Sequence, residues 1–257
     1  VCCLALFVAC PVNPPPRLNV IEPTVSNEVP AVDPRIISQA GFIRQPAITP
    51  VGRIATTRKQ RTESFAGDRV MVRPAEFERM APGDRFVTFQ LLRPPVIDER
   101  FPVNGWHHYL TGVVEIERDW SGLFEASVVD AYRGISENDQ LMPISEIDAT
   151  FAGQTAPIGI SGHILGSEER SETFTKDAVV FLDRGTVNGV EKGQTFNVYR
   201  TRRVEGDTVF FNVGSLVVLR AENETATALV LHSETELCPG FLFMNDLKEA
   251  EIGRAHV

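Results

Sequence analysis

Between residues 41 and 244 this sequence runs twice through the same succession of landmarks, which is the strongest constraint on its fold. Gly41-Phe42-Ile43 is echoed by Gly162-His163-Ile164. Asp68-Arg69-Val70-Met71-Val72 is echoed by Asp177-Ala178-Val179-Val180-Phe181, 177 − 68 = 109 positions on. Gly83-Asp84-Arg85-Phe86 and Gly193-Gln194-Thr195-Phe196 stand 193 − 83 = 110 apart. Thr111-Gly112-Val113-Val114 and Val213-Gly214-Ser215-Leu216 stand 213 − 111 = 102 apart, and Ala126-Ser127-Val128 and Thr227-Ala228-Leu229 are offset by 227 − 126 = 101. The order is kept, and the offset falls by 8 at one place, as it does when one hairpin loop is longer in the first copy.

Each copy is a series of short runs with period-two alternation. Phe196, Val198 and Arg200 point one way, and Asn197 and Tyr199 the other. Gly185, Gly189 and Gly193, spaced by four, mark a structural turn, because glycine takes positive φ cheaply. Few stretches offer a helix with a convincing amphipathic period. The expected fold is all-β: two tandem small β-barrel-like domains, each of five or six strands, at 41–143 and 162–246, with a linker at 144–161. Closing each sheet into a barrel protects its edges. Ahead of them, residues 11–40 carry prolines at 11, 14, 15, 16, 23, 30 and 34 and read as a spacer rather than a core.

The ends read differently. Val1–Cys10 is an apolar run of ten, too short to cross a bilayer, and has the character of the end of a signal-peptide hydrophobic segment. Phe7-Val8-Ala9-Cys10 resembles a bacterial lipobox, which makes Cys10 the candidate lipidation site. Residues 247–257 read as a tail, in which Ile252-Gly253-Arg254-Ala255-His256-Val257 looks like translated sequencing adapter, so that His256 is no candidate site residue. Cys2, Cys3 and Cys10 belong to the leader, so Cys238 alone remains for the folded part, with no partner for an internal disulfide. The periplasm is the expected compartment, with the lipid anchor as the one attachment to a membrane.

In the second copy Asp177, Val179, Phe181, Leu182, Gly185, Gly189, Val190, Gly193, Phe196, Val198, Tyr199 and Arg200 form the pattern D-x-V-x-F-L-x-x-G-x-x-x-G-V-x-x-G-x-x-F-x-V-Y-R. This resembles the β-domain of bacterial LysM-containing envelope proteins, and is similar to the C-terminal domain of the flagellar assembly T protein. The resemblance covers 162–244 well and 41–143 more loosely, since in the first copy Arg73–Met80 replaces the glycine turn and Gly83 alone remains. No LysM-like segment lies between residues 11 and 160. What the resemblance implies is a structural or interaction role in the envelope, with peptidoglycan or a flagellar or secretion assembly as partner, and no catalytic residues.

The residues themselves point the same way. A net charge of −9 argues against a phosphate-binding surface and so against nucleic acid. An oligonucleotide-binding-like barrel would need Phe86, Phe89, Arg85 and Arg93 on one open face. Adjacent His107 and His108 alternate across a strand and suit no single metal; they read as surface loop residues, and no metal or cofactor is expected. Glu115, Glu117, Asp119 and Glu125 read as a solvated strand face. No carboxylate is evident beside His163 or His232. Arg53, Arg58, Lys59, Arg61 and Arg69 form a basic cluster. The longer loop of the first copy, about Leu91 to Tyr109, is the natural place for a binding function. A glycan-binding module is the alternative reading, with Trp106, His107, Tyr109 and Trp120 as candidates, and it requires exposed aromatic rings.

Overall fold

The computed structural model describes residues 32–57, 62–96, 100–148 and 150–245. The leader, the lipidation candidate Cys10, Arg58, Lys59 and Arg61 of the basic cluster, and the tail lie outside them. The described chain opens with helix α1 (Pro34–Gln39) and strand β1 (Phe42–Arg44). The first repeat follows as β2 (Gly52–Thr57), β3 (Glu63–Ser64), β4 (Arg69–Pro74), β5 (Arg85–Leu92), β6 (Trp106–Trp120), β7 (Leu123–Ala131), β8 (Ile135–Ser136) and β9 (Gln140–Pro143). After a 3₁₀ turn at Ile144–Glu146 come β10 (Gln154–Thr155), β11 (Ser161–Ser167) and β12 (Val179–Leu182). A second 3₁₀ turn at Thr186–Asn188 leads to β13 (Gln194–Val204), β14 (Asp207–Ala221), β15 (Ala226–Ser233) and β16 (Leu242–Met244).

Two closed six-stranded barrels result. The first runs β2-β4-β7-β6-β5-β9 and returns to β2; the second runs β11-β12-β15-β14-β13-β16 and returns to β11. The circuits are the same. All eleven buried residues of the first barrel's core have a counterpart in the second barrel's core. Ile54, Val70, Val72, Met80 and Phe86 map 110 positions on, to Ile164, Val180, Leu182, Val190 and Phe196. Val114, Ile116, Ala126, Val128, Ile135 and Leu141 map 102 positions on, to Leu216, Val218, Ala228, Val230, Leu237 and Phe243. The change of offset falls in the connection between β5 and β6, where the first copy has the longer loop.

The structure shifts three of the sequence matches. Gly162-His163-Ile164 corresponds to Gly52-Arg53-Ile54, on the equivalent strand, and not to Gly41-Phe42-Ile43. The offset at β4 is 110 and not 109: Gly67 and Asp177, with φ of 83° and 69°, hold equivalent left-handed positions. At β7 it is 102 and not 101. A one-residue slip exchanges the two faces of a strand, so these corrections decide which residues enter the core. The cause is a set of bulges that interrupt simple alternation and recur in both copies, at Ile54/Thr56 and Ile164/Gly166, and at Thr88/Phe89 and Val198/Tyr199. The last of these buries both Val198 and Tyr199, against the strict alternation expected there.

Two glycine positions show what the bends require. Gly112 and Gly214 sit where the long strands cross their neighbours, and a Cβ would collide with the carbonyls of Asp130 and His232. In the turn before β13, Gly189 and Gly193 take positive φ, 83° and 88°. Gly185 is extended; there the constraint is close approach to the carbonyls of Glu222 and Asn223.

The expected spacer also gives way at its end. Asp33 caps α1 by accepting a hydrogen bond from the Arg35 N–H (2.9 Å), and Pro34 opens the helix, a position where its missing N–H costs nothing. Val32, Ile37 and Ala40 pack on Val217, Leu219 and Leu229, the outer face of the second barrel. The linker expected at 144–161 likewise contributes β10, parallel to β13, and buries Ala156 in the second core.

Candidate functional site

The chain thus touches the second barrel through α1, and then turns back to build the first. Between the two contacts lies the residue stretch 41–44, and the most elaborate polar arrangement of the described residues surrounds it.

One edge of β1 pairs with β6 of the first barrel, Phe42 opposite His108 and Arg44 opposite Trp106. On the other side the second barrel supplies side-chain donors and acceptors. The Gly41 N–H donates to Glu168 Oε1 (2.7 Å), Thr227 Oγ1 donates to the Gly41 carbonyl (2.8 Å), and Thr225 Oγ1 donates to the Ile43 carbonyl (2.7 Å). All three are buried, where a hydrogen bond is costly to lose. Gly41 is required sterically: a Cβ would stand 2.5 Å from Glu168 Oε1 and 2.6 Å from the His108 carbonyl. Ile43 fills an apolar contact with Leu165 and Phe181 of the second barrel, joined by Val96, Phe101 and Val103 of the long loop.

Two charged clusters flank the strand. In the first, Arg44 binds Glu222 with Nε and Nη2 (2.8 and 3.1 Å) and Glu146 with Nη1 (3.0 Å). Arg220 binds Glu222 (2.6 Å) and lies 3.7 Å over the Phe42 ring, whose plane also stacks on His108 at 4.6 Å. Burial pulls the Arg44 guanidinium down, but Glu222 and Glu146 outweigh it and hold it above its ordinary value. Burial of Arg220 pulls it below its own. In the second cluster, Arg133 bridges buried Glu168 (3.3 Å) and Glu169 (2.7 Å) while stacking 4.0 Å over Tyr109, whose hydroxyl donates to Glu169 (3.1 Å).

The two histidines read as loop residues lie on β6 and are fully buried. β1 covers them, which no local pattern announced. His108 Nδ1 is 3.0 Å from the Trp106 carbonyl, and Nε2 accepts from the Ile48 N–H (3.0 Å). That network assigns the neutral tautomer with the proton on Nδ1, and burial pushes the imidazole down to about 4. His107 packs edge-on against Phe181, with Glu168 Oε1 at 3.9 Å.

The remaining candidates separate. Trp106 and Trp120 are exposed, 45% and 57%, but they terminate the same fifteen-residue strand. At about 3.3 Å per residue they are roughly 45 Å apart, too far for one short glycan groove. Tyr109 and His107 belong to the junction. The described parts of the long loop, 93–96 and 100–105, likewise serve the junction: Phe101 stacks on His163 at 4.3 Å, and Arg170 donates to the Arg93 carbonyl. A carboxylate does stand beside His163, namely Asp183 at 3.3 Å. Phe86 and Phe89 are in the interior, so the open aromatic face of an oligonucleotide-binding barrel is not formed from them. Arg85 pairs with Glu115, Arg69 with Glu117, and Arg118 with Glu125, which is itself buried. Sequence reasoning missed Asp139, a buried carboxyl raised by burial that accepts from Gln90, Thr111 and the Ser136 N–H and ties the closing strand to its neighbours.

Among the described residues no group of three or more His, Cys, Asp or Glu is placed to hold a metal ion, and no helix is long and apolar enough to cross a membrane. A groove of about 710 Å³ borders the junction, lined by Ile43–Ile48, Asn104 and Glu222–Thr225. The sequence matches no protein-family model and no curated protein. What fold and site define is a class: a tandem double barrel in which the polar residues at the join hold two copies of one domain together.

Proposed function

We propose that this chain is a non-catalytic structural or interaction protein of the bacterial cell envelope. In this reading it is periplasmic, anchored through a lipid on Cys10, and presents two barrels at fixed separation to peptidoglycan or an envelope protein assembly. The observation that carries the scaffold reading is the junction. Its buried charges and hydrogen bonds are occupied in joining the repeats, and such a joint serves a protein whose task is to hold surfaces in place. The envelope placement rests on the leader-like run and on the resemblance to LysM-containing envelope proteins.

Glycan binding is the second reading, favoured by the exposed Trp106 ring two residues from Asn104 of the open groove. Aromatic rings beside polar groups suit sugar faces. The test is retention of the purified chain on peptidoglycan sacculi, with and without soluble glycan, beside Trp106→Ala. Retention that glycan competes away and that Trp106→Ala abolishes supports the wall-binding form. No retention removes peptidoglycan as the partner and leaves a protein assembly, to be sought by crosslinking in the intact envelope.

A further inference from the structure

Internal repetition allows one copy to show what the other lacks. In the first barrel, β5 and β6 extend beyond the barrel wall, and β1 pairs with the outer edge of that extension at Trp106, His107 and His108. The second barrel has the same extension, the ribbon formed by the far half of β13 and the near half of β14. By the offset of 102, the edge covered in the first copy corresponds to Thr208, Val209 and Phe210. There β14 pairs with β13 on one side, while β15 begins its pairing only at Gly214. No described residue pairs with the other edge between Asp207 and Asn212.

Such an edge is a template for another strand, and proteins that avoid pairing place lysine, proline or a bulge there. This one reads Asp207-Thr208-Val209-Phe210-Phe211-Asn212, rich in β-formers and without those devices until the barrel wall. The ribbon ends in a tight turn at Glu205 and Gly206, both with positive φ (54° and 101°), and residues 200–208 are exposed. A two-stranded ribbon of this kind is marginal alone in water.

We infer that two copies of this chain meet at this edge, β14 against β14 in antiparallel register about a two-fold axis at Val209. Charge selects the second copy as occupant. The tip of the ribbon carries Glu205 and Asp207, Arg203 and Arg202 stand opposite Thr208 and Val209 just behind it, and Arg200 lies farther back, opposite Phe211. Antiparallel docking brings the Asp207 of each tip alongside the other copy's Arg200. With Val209 opposite Val209, Asp207 faces Phe211 of the other copy, whose β13 partner is Arg200, with its guanidinium 5.9 Å from that Phe211 ring. Arg200 therefore shares a row with Asp207 across the interface. Shifting the axis to Phe210 would place Asp207 opposite Val213, whose carbonyl already accepts from the Glu234 N–H. The contact is isologous, and the pair closes on itself.

The test is sedimentation of the full chain over a concentration series. Wild type is expected to be a dimer, and Val209→Lys, which sets two ammonium groups against each other on the axis of the interface, to dissociate it about 100-fold more readily. Arg200→Glu is expected to weaken the dimer about 10-fold, and adding Asp207→Arg to that variant to restore it. Restoration cannot come from damage to the fold, which keeps the inference testable even where a single variant folds poorly. A monomeric wild type, a dimer indifferent to Val209→Lys, or failure of the charge exchange to restore association would each overturn it. A monomeric chain that instead captures a strand peptide along β14 would be one form of that failure.

Discussion

Acid should loosen the junction through His108, by an amount the structure sets. Its imidazole is neutral, stacked on Phe42, with Nε2 accepting from the Ile48 N–H. A second ring proton would point N–H at N–H in a buried site. The folded value is about 4 against an ordinary 6.5, so the unfolded state binds more protons between those limits and stability falls as pH falls. The contribution is fully present above 6.5 and is lost toward the folded value. Each unit of pKa difference is worth about 1.4 kcal/mol, so the loss comes to about 2 kcal/mol between pH 7.5 and 5 and about 3 kcal/mol by pH 4. The perturbation is His108→Gln, which removes the titrating group and leaves every other carboxylate and histidine in place. The assay is urea unfolding of both proteins at several pH values. The difference between them should narrow by that amount as the solution is acidified. If wild type and variant lose stability in parallel between pH 7.5 and 5, the assignment of a neutral buried His108 is refuted.

Further outcomes follow from the same contacts. Gly41→Ala forces a Cβ against Glu168 and the His108 carbonyl, and should cost about 2 kcal/mol in chemical denaturation. Ile37→Ala removes the buried apolar residue of α1 from the second barrel's outer face and should cost about 2–3 kcal/mol, measured the same way. Glu168→Ala strips Gly41 and Arg133 of a buried acceptor and should destabilise more than Glu168→Gln, which keeps an oxygen for the Gly41 N–H.

How far the sequence could be read depended on whether a feature was local. The two-barrel plan was legible, because the same eleven core positions recur with the same apolar character and turn residues mark the same joints. Register was not, at β4 and β7, because bulges at equivalent positions insert residues that alternation does not reveal. His107 and His108 were misplaced because what buries them is a three-residue strand more than sixty positions upstream. Asp33-Pro34 was a readable helix start, hidden by the density of prolines before it. Asp139, Glu168 and Glu222 carried no local signal; their partners come from distant strands, and chemistry-based motif reading has no purchase on ion pairs made by topology. Cys10 and the termini lie outside what the structure describes.

Because the 41–44 stretch is hydrogen-bonded to both barrels, the two repeats are expected to unfold as one body. Differential scanning calorimetry of the full chain tests it most directly, through the ratio of calorimetric to van't Hoff enthalpy. Wild type is expected to melt in a single transition with a ratio near unity. Two independent transitions already in wild type would contradict it, and would return the repeats to separate domains on a tether.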